Sequence, residues 1–144
     1  MIKQSIETRC ANQQDAKYII LILQEISHYF PQDGREHEAW NDFYTQKNIS
    51  PRVAIYNNQI IGFANLLVEK NIRGGALGHI GDVAVREDMQ GQGVGKILIE
   101  DLKLIAKDLG CYKVTLSCDD SSLDFYKKLG FSNISNTATY FPDS

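Results

Sequence analysis

Apolar positions along the chain follow two periods, and each switch between them marks a new element. Ser5 to Arg9 reads as a first strand. Asn12 is a good N-cap type, and Tyr18, Leu21, Ile22, Ile26 and Tyr29 then recur on one helix face, which predicts a helix over residues 13–29 closed by Pro31 and Gly34. The polar stretch REHEAWNDFYTQK around Trp40 predicts a short second helix. Arg52 to Tyr56, the turn pair Asn57-Asn58, and Gln59 to Glu69 predict a hairpin, because asparagine accepts the left-handed conformation of tight turns. After the turn NIRGG, Leu77 to Val85 continues the meander as another strand. Val94, Leu98, Leu102, Ile105 and Leu109 restore helical spacing up to a stop at Gly110. Cys111 to Ser117 predicts a strand, Ser121 to Leu129 a helix stopped by Gly130, and Phe131 to Phe141 a final strand. No repeat or linker interrupts the run, so residues 1–144 read as a single α/β domain long enough to bury a substantial core.

Composition narrows the function. With 43% hydrophobic and 23% charged residues the chain is globular in type, and a formal net charge of -3 argues against a nucleic-acid partner. The opening MIKQSIETRC lacks a signal-peptide core. The apolar run YIILIL at Tyr18 to Leu23 is too short to span a bilayer, so the expected location is cytoplasmic with no membrane partner. Cys10, Cys111 and Cys118 form no CxxC and fit unpaired thiols. With His28, His37 and His79 they show no metal-ligand spacing, so no metal is expected.

The candidate chemistry begins at Met89 to Leu98, MQGQGVGKIL, where three glycines alternate just before a helix. Successive amides there can point at one oxyanion, and the helix dipole reinforces them, which makes a pyrophosphate the natural guest. A Walker loop is excluded, since Gln90 stands where its first glycine belongs and Ile97 replaces the hydroxyl. A dinucleotide fingerprint is excluded by Lys96 in place of the third glycine.

Gln90-Gly91-Gln92-Gly93-Val94-Gly95 resembles the QxxGxG loop of the GNAT acetyltransferase superfamily. The runs GHIGDVAV, QGQGVGK, GCYKV and FYKKLGF, spread over about half the chain, resemble its glucosamine 6-phosphate N-acetyltransferase family in particular. The resemblance implies a mixed, largely antiparallel sheet flanked by helices, with a splayed strand pair that receives acetyl-CoA as acetyl donor. It implies backbone of Val83, Ala84 and Val85 along the pantetheine, and Gln90 with the amides of Gly91, Gln92, Gly93, Val94, Gly95 and Lys96 around the pyrophosphate. Ser122 and Tyr126 stand with the cofactor, and a bulge near Asp82 opens the strand pair. It further implies a homodimer held by the C-terminal strand around Thr139 to Phe141. The acceptor it implies is a small-molecule amine, glucosamine 6-phosphate first, approached by Lys70, Arg73, Gly81 and Asp82. Another small amine, a protein amine, or a catalytically silent acetyl-CoA-binding module are the alternatives. The chain departs from that family where glutamate is typical at Gly81, aspartate is frequent at Ser117 and asparagine is typical at Ser122, and its tail NTATYFPDS lacks the family's arginine.

Acyl transfer from a thioester to an amine needs a neutral amine, an oxyanion stabiliser and a donor for the departing thiolate. Tyr126 is the candidate donor. A phenol of pKa about 10 is a weaker acid than a thiol of about 8.5, so it stabilises the thiolate by hydrogen bonding more than by full proton transfer. Asp82 is the candidate to orient the amine or act as base through water. His79, three positions earlier on an alternating strand, reads as structural, and Cys118 as a small buried residue.

Overall fold

Asn57 and Asn58 both adopt left-handed φ, +51° and +59°, and turn the chain as their side chains permit. The computed structural model describes residues 5–26 and 34–143. Among these, five strands form one sheet in the order β1-β2-β3-β4-β5, with β1 at Glu7–Cys10, β2 at Ile49–Tyr56, β3 at Gln59–Lys70, β4 at Ala76–Val85 and β5 at Cys111–Leu116. Neighbours from β1 to β4 are antiparallel, and β4 and β5 are parallel. The helices are α1 (Ala16–Ile26), α2 (Glu36–Tyr44), α3 (Val94–Asp108) and α4 (Asp120–Lys128). None is long and apolar enough to cross a membrane among the described residues.

Local chemistry explains most boundaries. Asn12 caps a short 3-10 turn at Gln13–Asp15: its side chain accepts from Gln14 N–H at 2.9 Å, and the Asp15 carboxylate accepts from Asn12 N–H at 2.8 Å. The α-helix proper therefore starts at Ala16, three residues later than the apolar spacing suggests; His28, Tyr29 and Pro31 lie outside the described residues. β2 starts at Ile49, earlier than expected, because the chain keeps pairing through Pro51, whose carbonyl accepts from Ala11 N–H at 2.9 Å.

Two clusters pack on opposite faces of the sheet. Ala64, Leu66, Val68 and Ile80 meet Val94, Leu98, Ile99 and Leu102 of α3 and Tyr126 of α4 on one face. Val53 and Phe63 meet Ile19 of α1 and Trp40 of α2 on the other. Burying Leu98 and Leu102 completely contributes about 1.5–3 kcal/mol each. That apolar stripe fixes α3 on the sheet and brings its N-terminus to the end of β4.

The expected strand over Phe131 to Phe141 does not form. A strand needs a neighbour for its N–H and C=O groups, and among the described residues the sheet ends at β5. The tail instead runs out exposed, with Ile134 at 89% and Tyr140 at 83% exposure.

Candidate active site

The site begins at a break in β4. Phe63 pairs with Ala84 and Asn65 with Gly81, so Ala64 alone faces two residues, Asp82 and Val83. Asp82 takes φ +54°, a left-handed value that aspartate tolerates better than most residues. This is the expected bulge. On the other edge, the pairing of β4 with β5 ends at Ile80 opposite Leu116. Beyond that rung β5 ends while β4 runs on, and the β5-facing backbone of Val83, Ala84 and Val85 has no strand partner.

The glycine loop lies at the open end of this fork. Gln90 Nε2 donates to the carbonyl of Val85 at 3.3 Å, tying the loop to the strand. Gly91 and Gly93 sit at φ +80° and +83°, and Gly93 is the N-cap of α3. Ile97 N–H donates to Gly93 C=O at 3.1 Å. The amides of Val94, Gly95 and Lys96 come before that first helical bond, so the helix itself leaves them without acceptors. Gly95 answers to packing as well: a Cβ there would stand 3.3 Å from Phe125 Cζ and 3.9 Å from Val85 Cγ2. Gln92 and Lys96 are exposed.

Tyr126 reaches the same region from α4. It is buried, with its ring centroid 5.0 Å from that of Phe125 and 5.9 Å from that of Phe131. Burial, aided by the nearby Cys118 thiol, pushes its hydroxyl above the ordinary phenol value, so it stays a neutral donor at physiological pH. Among the described residues that hydroxyl has no hydrogen-bond partner. Ser122 is half-buried in the first turn of α4, its N–H donating to Asp119 C=O at 2.9 Å. Cys118, expected to be buried, is exposed just past the end of β5.

Not every expected residue comes together. Lys70 and Arg73 lie at the β3–β4 turn, and six steps of extended strand lead from Ala76 to Asp82, roughly 20 Å at about 3.3 Å per residue. At Gly81 a Cβ would meet nothing within 4 Å, so open space stands where the resemblance implies a carboxylate. Sequence reasoning missed Asn65, which pairs with Gly81 and is buried with its Oδ1 unpartnered. The signal was present: FANLLV carries one amide at an otherwise apolar position of a central strand.

Residues 18–131 match the acetyltransferase (GNAT) family. A curated relative, the glucosamine 6-phosphate N-acetyltransferase of Trypanosoma brucei brucei, is 37% identical over 130 residues, covering 88% of each chain. Among solved structures, a Trypanosoma brucei acetyltransferase superposes with a TM-score of 0.84 at 32% identity, over 94% of this chain and 99% of that one. The glucosamine-6-phosphate N-acetyltransferase of Arabidopsis thaliana superposes with a TM-score of 0.83 at 25% identity, over 96% and 99%.

Proposed function

Because the chain belongs to the acetyltransferase (GNAT) family, we propose that it transfers the acetyl group of acetyl-CoA to the primary amine of a small acceptor, glucosamine 6-phosphate first among them. The observation that carries this reading is the fork: β4 runs on past its last β5 rung at Ile80 and bulges against β3 at Asp82, and the left-handed glycines of the following loop open the N-terminus of α3 beside it. Unpaired strand backbone suits the amide-rich pantetheine arm, and clustered helix-start amides suit a pyrophosphate. The donor would lie along Val83, Ala84 and Val85, with its pyrophosphate against the amides of Gly91 to Lys96 and Ser122 near its thiol end. Gln90 braces the loop from behind. Bound acetyl-CoA supplies an activated acetyl group.

The chain's own residues then have separable tasks. Tyr126, kept protonated by burial, donates its O–H toward the sulfur that leaves. Asp82, exposed in the bulge, orients the incoming amine. The acceptor follows from the named activity of the trypanosomal relative together with the open space at Gly81, where no carboxylate is present to help deprotonate a strongly basic amine.

The reading includes one acetyltransferase domain over residues 1–144, cytoplasmic and homodimeric. A second copy accounts for two features of the single chain: the exposed apolar tail, and the distance of Lys70 and Arg73 from the fork. The test is CoA release measured with acetyl-CoA and a panel holding glucosamine 6-phosphate, other amino sugars, small alkylamines and lysine peptides. Release with glucosamine 6-phosphate above the rest supports the reading. Acetyl-CoA binding without release for any amine would identify a silent binding module instead.

A further inference from the structure

The third strand carries one amide among apolar neighbours, and the fold gives it nothing to bond. Ala64 and Leu66 turn to the cluster under α3, so alternation turns Asn65, like Phe63, to the face covered by α1 and α2. Asn65 is 9% exposed, and its Oδ1 is buried without a partner. The other buried side-chain polar atom left unpartnered among the described residues is Nε1 of Trp40 on α2, which belongs to the cluster around Phe63 on that same face. A desolvated, unbonded amide destabilises a central strand, so its presence there points to a guest with polar groups of its own. Gly81 stands opposite Asn65 in the register of β3 and β4, and a Cβ there would meet nothing within 4 Å. Facing positions of an antiparallel pair share one side of the sheet, so the carboxamide borders the open space at Gly81. Asp82, assigned above to orient the amine, is the next residue along β4.

We propose that the Asn65 carboxamide reads a hydroxyl on the carbon next to the acceptor's amine-bearing carbon, and so selects amino alcohols, amino sugars among them, over plain alkylamines. This rests on the acetyltransferase reading and deepens it. With the amine at Asp82, the level of Gly81 and Asn65 is one Cα spacing away, about 3.8 Å, within reach of a neighbouring hydroxyl. A carboxamide donates through Nδ2–H and accepts through Oδ1, and a hydroxyl likewise does both, so each satisfies the other. A half-turn of the amide exchanges its two ends, which lets either one meet the guest. An alkyl group in that place would bond neither end and keep the amide desolvated. Discrimination of this kind is strong because the cost of a missing hydroxyl falls on the site as well as on the ligand. Asn65 holds the acceptor in this arrangement and takes no proton from it.

The test uses the full chain and the variants Asn65→Val and Asn65→Ala. The acceptors are glucosamine 6-phosphate and two analogues, each lacking one of the hydroxyls that flank the amine-bearing carbon. In the wild type at least one analogue should lose about tenfold or more in kcat/KM. In both variants that loss should shrink to about threefold or less, with acetyl-CoA affinity unchanged. Wild type and variants meet the same amines, so differences in amine basicity cancel from the comparison. Asn65→Ala keeps the ratio measurable if Val crowds its neighbours. Folded variants that keep the wild-type discrimination, or a wild type indifferent to both hydroxyls, would overturn the assignment and leave the acetyltransferase reading intact. A wild type that releases no CoA with any amine would overturn both.

Discussion

A Cβ on Gly95 would stand 3.3 Å from Cζ of Phe125, so the first turn of α3 rests on α4 with no room for a side chain between them. Gly95→Val therefore strains packing as well as the glycine loop proposed to hold the cofactor. Overpacking of this kind costs about 1–3 kcal/mol, and each kcal/mol lowers Tm by about 2–4 °C in a chain of this size. Gly91→Ala separates the two effects, since open space surrounds that position and the penalty is its left-handed φ alone, about 1 kcal/mol. Thermal melts and acetyl-CoA titration on both variants should show weakened binding in each, with the larger melting shift in Gly95→Val.

Tyr126→Phe keeps the ring against Phe125 and Phe131 and removes the hydroxyl. It should lower kcat about tenfold or more while leaving acetyl-CoA affinity nearly unchanged, because the donor matters as the thiolate develops. Full turnover in the variant would end the assignment.

The same hydroxyl has a stability signature. Its folded pKa is raised by burial first and by Cys118 second, so the native protein keeps a proton that the unfolded chain begins to release near pH 10. Its contribution is intact below the unfolded value and is lost as pH rises through the folded one. Urea midpoints should therefore fall more steeply above about pH 10 in the wild type than in Tyr126→Phe.

Proton cost sets the acceptor preference. At pH 7, freeing a lysine-like amine of pKa about 10.4 costs about 4.6 kcal/mol, against about 1.4 for an amine near 8. With Gly81 and Ser117 in place of carboxylates, amino sugars should react faster than lysine-like amines. Gly81→Glu should fold normally, because its Cβ meets nothing, and should narrow that ratio. Competition assays at fixed pH read the ratio directly.

Asp15 should govern acid stability. Burial opposes its charge, but the Arg9 hydrogen bonds at 2.6 and 2.9 Å, the Asn12 amide and the Arg9 charge together outweigh burial and hold the carboxyl below its usual range. That stabilisation is whole above the unfolded value of about 3.9 and is lost as pH falls through the lower folded one. Asp15→Asn should cost about 1–3 kcal/mol at neutral pH and flatten the acid unfolding curve.

Much of this was legible because it is local. The spacing of Val94, Leu98, Leu102 and Ile105 marks α3 without help from the rest of the chain, and Asn57-Asn58 marks its hairpin. The tail misled because its apolar residues satisfy a strand pattern, whereas a strand also requires an edge to pair with, which pattern does not encode. The surroundings of His79 escape the pattern for a similar reason. Its meeting with Glu69 and Thr115 depends on two strand registers, and the residues lie 10 and 36 positions away in sequence.

The junction of β4 and β5 also orders events as the chain folds. The meander closes through short turns at Asn57-Asn58 and Asn71–Gly75, while β5 must return from beyond α3 to find Ala76–Ile80. Longer closures cost more chain entropy before any contact repays them, so local pairs lead and the crossover follows. One prong of the fork is thus built early and the other late. A donor molecule placed as proposed between them would bind a shape that exists only after the last strand has docked, and by mass action would stabilise the step that is slowest to arrive.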